Sequence, residues 1–165
     1  MIKNNFSIMI DIRKIIYEEI RKILNERKSI IQLYNFTPRK IKKRANNDIT
    51  VKLETISNKG KYQYSTFTNS NGNIHRPYII PLNPLTDKSG KIFNLNPNIN
   101  SSVLVWCDCK NFLYTLEVSL NKEDASRIIN SNGAEPVVMN PKMKTFLCKH
   151  LQACAKDYKN RLNEM

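Results

Sequence analysis

"VWCDCKNF", residues 105–112, sets two of the chain's four cysteines one residue apart. Separated from Cys109 by 38 residues, Cys148 in "FLCKHL", residues 146–151, repeats that spacing with His150. Three of the four cysteines and one of the two histidines fall into these pairs. Zinc prefers four tetrahedral donors of thiolate and imidazole type, commonly presented as two close pairs from separate elements. Cys107, Cys109, Cys148 and His150 are therefore a candidate ligand set, weighed against core thiols beside a surface histidine. The reading decides the fold, because a shared ion obliges two distant segments to meet.

The flanks support a meeting of unlike elements. "SVLVW", residues 102–106, reads as a strand that delivers the first pair at its end. After "NPKMKT" the stripe Leu147, Leu151, Cys154, Ala155, Tyr158 and Leu162 has helical spacing, so the second pair opens a helix. A thiolate there lies at the positive end of the helix dipole, which favours its deprotonated form. Between the pairs, "FLYTLEVSL" (112–120) is expected as a strand, "KEDASRII" (122–129) as a short helix and "SNGAEP" (131–136) as a turn. Cys154 lies four residues past His150 and is a possible competing ligand, but its place on the apolar stripe favours a core thiol. Asp108 is read as shaping the turn between two ligands, and His75 in "NIHRPY" shows no partner that would make it a ligand.

The pattern C-x-C, a variable gap, then C-x-H resembles the SWIM-type zinc finger, a ββα zinc module, over about residues 103–158. That resemblance implies one structural zinc ion held by Cys107, Cys109, Cys148 and His150. The gap is longer than most such modules carry. Stretching a closed loop from about 12 to 38 residues costs only about 1 kcal/mol, against coupled folding energies on the order of 10 kcal/mol for structural zinc. Four protein donors close the metal shell and leave no place for a reactive water. No glycine-rich phosphate loop, G-x-S-x-G elbow or carboxylate pair is apparent, so no catalytic residue is assigned and a non-enzymatic protein is expected.

Upstream, Ile8, Ile12, Ile16, Ile20, Ile23, Leu24 and Ile31 recur near a 3.6-residue period, which predicts a long amphipathic helix over residues 8–33. It would dock on the core or on another copy of the chain. Pro38 ends that region, and Arg39, Lys40, Lys42, Lys43 and Arg44 follow as five positive charges in six positions. Net charge is +13, of which +5 falls in residues 37–44. An exposed basic connector that meets phosphate or an acidic partner is expected there, with a plain solvated linker as the alternative. From residue 48 the period becomes two: "DITVKLETI" and "YQYSTF" predict a β-hairpin. "NSNGN" turns into "IHRPYIIPL", a third extended piece that Pro77 and Pro81 would confine to an edge. Residues 83–102 read as a loop-rich excursion.

The expectation is thus an α+β chain with a long N-terminal amphipathic helix, a small antiparallel sheet and a C-terminal ββα zinc module. Its segments are a helical region 1–36, a basic connector 37–47, a hairpin region with loop 48–102, and a zinc module 103–165. No stretch approaches the roughly 20 apolar residues that span a bilayer, and no signal peptide is read, so neither membrane nor secretion is expected. The wording "CDCKNFLYTLEV" and "SNGAEPVVMNPKMKTFLCKHL" also resembles small proteins encoded by tailed bacteriophages, often among virion genes. That resemblance implies a structural protein of the virion, assembled in the host cytoplasm. It would dock in multiple copies to other virion proteins at the connector, tail or capsid, with double-stranded DNA a further partner and no small-molecule substrate. The alternative is a cytoplasmic DNA-binding factor.

Overall fold

The period-two segment from Thr50 onward forms the sheet that organises the chain. A computed structural model describes residues 27–57, 63–82, 84–86, 92–94 and 99–164. Strands β1 (Thr50–Ser57) and β2 (Gln63–Ser70) pair antiparallel as the alternation predicts, with a bulge between Leu53 and Thr55. Asn71 and Gly72, both at positive φ, turn the chain into β3 (Asn73–His75), and β4 (Tyr78–Leu82) follows. β7 (Ser102–Trp106) completes the order β1-β2-β4-β7, with β3 also on β2. Within residues 83–102 two short strands, β5 (Pro84–Thr86) and β6 (Ile92–Asn94), pair with each other.

The third extended piece is not at an edge, as its prolines suggest, but is broken and then central. Pro77 falls at the break between β3 and β4, where its carbonyl still accepts the Thr66 N–H at 3.2 Å. Pro81 stands opposite Val103 in the β4–β7 ladder. Val103 points its own N–H away from β4 to Lys28 O, so this is a position that exchanges no hydrogen bonds with β4. On the other side the β2 partners stop at Tyr64 and Ser65, leaving Pro81 beyond the end of that ladder. A missing N–H costs nothing at such a place.

Helix α1 (Ile30–Phe36) begins at Ser29, whose hydroxyl accepts from Gln32 N while the Gln32 side chain accepts from Ser29 N, a reciprocal cap. Ser29 also bridges to Ser102, so the expected helix over 8–33 does not run unbroken to its end; its part in residues 8–26 lies outside the described residues. The basic segment expected as an exposed connector is wound into helix α2 (Arg39–Asp48), on which Arg39, Lys40, Lys43 and Arg44 are exposed. Its start is fixed by Pro38, whose carbonyl accepts from Ile41 and Lys42. Ile41, Ala45 and Ile49 recur every fourth residue, and Ala45 and Ile49 bury against Ala153.

"FLYTLEVSL" is helical, not a strand. The chain turns helical at Lys110, winds as a π-helix over Phe112–Leu116 and continues as α3 (Glu117–Lys122). A strand has no edge to join, because β7 already gives its Val103 and Val105 N–H groups to Lys28 O and Ala125 O. Residues 115–120 are all buried, so this helix is sunk in the protein. "KEDASRII" is not a helix: Asp124 at φ +52 ends α3, and Ala125 swings to the edge of β7. The expected ββα module is therefore a strand, a mixed helix and a long return to α4 (Lys149–Glu164).

The long return is pinned at both ends. Buried Glu117 accepts from Ile129 N at 3.2 Å and Ser131 N at 3.0 Å. Buried Asn140 donates to Thr115 O and Lys144 O and accepts from Lys144 N. Between these clamps, Val137, Val138 and Met139 stand out in solvent. Helix α4 closes the core: Leu151, Cys154, Ala155 and Tyr158 join Leu33, Tyr64, Ile79, Val105, Phe112 and Leu116 in one buried cluster. Each large apolar side chain fully buried there contributes about 1.5–3 kcal/mol. Tyr64 hydrogen-bonds Asp157 on α4 and accepts from Arg161 Nε, tying sheet to helix. No helix among the described residues is long and apolar enough to cross a membrane.

Candidate metal centre

β7 ends at Trp106 and hands Cys107 to the core, fully buried. Two residues on, Cys109 caps the helix that begins at Lys110: its Sγ accepts from Phe112 N at 3.4 Å and its carbonyl from Leu113 N. Cys148 repeats this at α4, where its Sγ accepts from Leu151 N at 3.4 Å and its carbonyl from Gln152 N. Cysteine thus takes the position usually held by Ser, Thr, Asn or Asp, a side chain accepting the third amide of the helix. Both sulfurs meet amide hydrogens at the positive end of a helix, which favours thiolate. His150 follows within the first turn of α4.

The four donor atoms of Cys107, Cys109, Cys148 and His150 lie within 4.8 Å of one another, and all four residues are buried. No disulfide joins the thiols. Both ring nitrogens of His150 are buried and lack any hydrogen-bond partner. A buried imidazole left so is costly unless a metal takes one of its nitrogens. That orphaned ring, beside three converging sulfurs, fits a thiophilic divalent metal. Hydrogen bonds from the Cys107 and Cys148 thiols hold Cys109 well below the ordinary thiol range, whereas burial pushes Cys107 and Cys148 up.

Cys154 is separate. It lies on the buried stripe of α4 outside the donor cluster, and burial raises its thiol to about 12. It is a protonated core residue. Asp108 and His75 prove more engaged than their sequence context indicates. Asp108 Oδ1 meets His75 Nδ1 at 3.0 Å and accepts from Arg76 N at 3.2 Å. The His75 ring lies over that of His150, with centroids 4.2 Å apart. His75 is thus a partly exposed cover on the candidate ligand His150, joined to the turn between Cys107 and Cys109. Residue spacing carries no signal for this contact, since 33 residues separate His75 from Asp108 and only the sheet brings them together.

The five basic residues of α2 do not act as one cluster. Lys42 turns back to Asn35 O at 3.1 Å and over the Tyr34 ring. Arg44 pairs with Asp48 at 3.7 Å in solvent. Lys40 and Arg44, four residues apart, face a groove of about 800 Å³ whose far wall includes Lys110 and Lys149 and whose floor includes Cys109, Cys148 and His150. Arg39 and Lys43 are exposed and do not line it. The sequence places these two features, the donor pairs and the basic run, far apart; the packing of α2 against α4 joins them. Searches among family models, curated proteins and solved structures found no match to this chain.

Proposed function

We propose that this chain is a non-enzymatic, basic structural protein stapled by one zinc ion, which presents a cationic face to an anionic partner. The observation that carries the reading is the convergence of three buried sulfurs and an unpartnered buried imidazole within 4.8 Å. Zinc suits this donor set because it accepts thiolate and imidazole in a tetrahedron with no demand from d electrons. Four protein donors fill that tetrahedron, which argues for a staple over a Lewis-acid site. The ion would join the end of β7 to the start of α4. The bacteriophage-like wording of residues 107–118 and 131–151 supports a place in a tailed-phage virion, docked to neighbouring subunits in several copies. The groove beside the centre favours a second reading, a DNA-binding factor of the host cytoplasm, for one reason: its cations converge in one place.

Elemental analysis of protein purified under reducing conditions tests the staple. One zinc per chain is expected, and cobalt substitution should give intense visible bands of tetrahedral coordination with sulfur charge transfer. A well-folded, metal-free protein would overturn the reading. Co-purification with particles at fixed stoichiometry separates the virion role from a free factor, which would instead bind nucleic acid by itself with a steep salt dependence.

A further inference from the structure

The groove beside the donor cluster has a composition that a purely structural staple does not require. Lys40 and Arg44 enter from α2, and Lys110 and Lys149 from the starts of the two capped helices. No carboxylate lines it among the described residues. Three thiolates, a neutral imidazole and a divalent ion would sum to one negative charge at the floor, and Asp48 on Arg44 and Asp108 on His75 add two more, so the four cations still leave the groove about one positive charge in excess. Lys149 is held by Ser70 Oγ at 2.6 Å, which fixes its ammonium at the rim. The Arg44–Asp48 pair is exposed and therefore weak, so the guanidinium can exchange partners at little cost. Phe146 adds a partly exposed aromatic ring to the same wall.

Cations around a concavity with an aromatic side chain are what a single strand of nucleic acid needs: phosphates track the charges and a base stacks on the ring. A duplex is read differently, by a protruding helix or ribbon entering its major groove, and these cations line a hollow. An acidic protein would meet the same charge but would gain little from the ring. The geometry points to this groove as a binding site for single-stranded nucleic acid, held by Lys40, Arg44, Lys110 and Lys149 with a base against Phe146. The inference rests on the non-enzymatic staple reading, since the ion fixes the groove floor, and it replaces a linear basic arm with a folded surface.

The test uses the full-length, metal-loaded protein and a fluorescent single strand of about 12 nucleotides, within the range one such site covers. The Lys40→Ala/Arg44→Ala variant should bind at least about 10-fold more weakly near 0.1 M salt, with a salt slope shallower by roughly 1.4. Arg39→Ala/Lys43→Ala removes the same charge from the same helix outside the groove and should change binding less than about 3-fold. Phe146 also packs on the core cluster, so Phe146→Leu keeps an apolar side chain there but removes the ring, and a loss of roughly 5-fold or more is expected in protein whose circular dichroism spectrum and metal content are unchanged. Equal weakening by the two double variants overturns the site, as does preference for the matched duplex or equal binding of polyglutamate. Metal analysis of the same samples separates the two readings. A metal-free, folded protein whose groove variants still lose binding sinks the staple alone, and a zinc-loaded protein with silent groove variants sinks the groove alone.

Discussion

Cys148, just before α4, and Cys154, on its buried side, lie six residues apart, yet their sulfurs meet different surroundings. Cys148 caps the helix and faces the donor cluster, while Cys154 is packed among core side chains with its proton retained. Replacing each by alanine should separate these roles. Cys154→Ala should keep one metal per chain and cost about 1 kcal/mol in denaturant unfolding, the scale of a small cavity. Cys148→Ala removes a proposed ligand and a cap together, and the variant should lose its metal and its sharp thermal transition. Mass spectrometry under native conditions and calorimetry report both. The two pairs were legible because Cys-x-Cys and Cys-x-His are rare spacings with a chemical reason behind them. The position of His75 was not, because a ring tilted against a candidate ligand leaves no trace in spacing.

Among the elements, one hydroxyl ties α1 to the start of α4. Buried Thr37 donates to Leu33 O at 2.8 Å, closing α1, and accepts the N–H of Leu147 at 3.0 Å, one residue before Cys148. Thr37→Val keeps the shape and leaves the Leu147 amide without its partner. A loss of about 1–3 kcal/mol in urea unfolding is expected, with faster amide exchange at Leu147. The hairpin and α4 could be read from periodicity alone, since alternation and the four-residue stripe each fit one template. "FLYTLEVSL" fits two: Leu116, Val118 and Leu120 alternate as in a strand, and Phe112, Leu116 and Leu120 recur as on a helix. Only the occupied edge of β7 decides between them, and that depends on Lys28 and Ala125, residues remote from each other in sequence. The helicity of α2 had a signal, the spacing of Ile41, Ala45 and Ile49, but the density of charge masks it.

On the scale of the molecule, the donor cysteines are members of the same buried cluster as Leu33, Tyr64, Ile79 and Tyr158. Loss of the ion should therefore not melt one end while sparing the rest. Chelation should abolish the near-ultraviolet signal of Trp106 on β7 and the far-ultraviolet helix signal in one coincident transition, the mark of two-state unfolding. A helix signal that survives loss of the tryptophan signal would show the centre and the sheet to be independent.

The stretch between the Glu117 and Asn140 clamps is where the chain can be cut without being taken apart. Elastase should nick the solvent-facing valines Val137 and Val138, and the two fragments should still travel together through gel filtration. One fragment would carry two cysteine donors and the other a cysteine and the histidine, so a chelator added to the column buffer should send them down as separate peaks. Continuity of the backbone would then be dispensable for cohesion, with coordination chemistry serving as the seam.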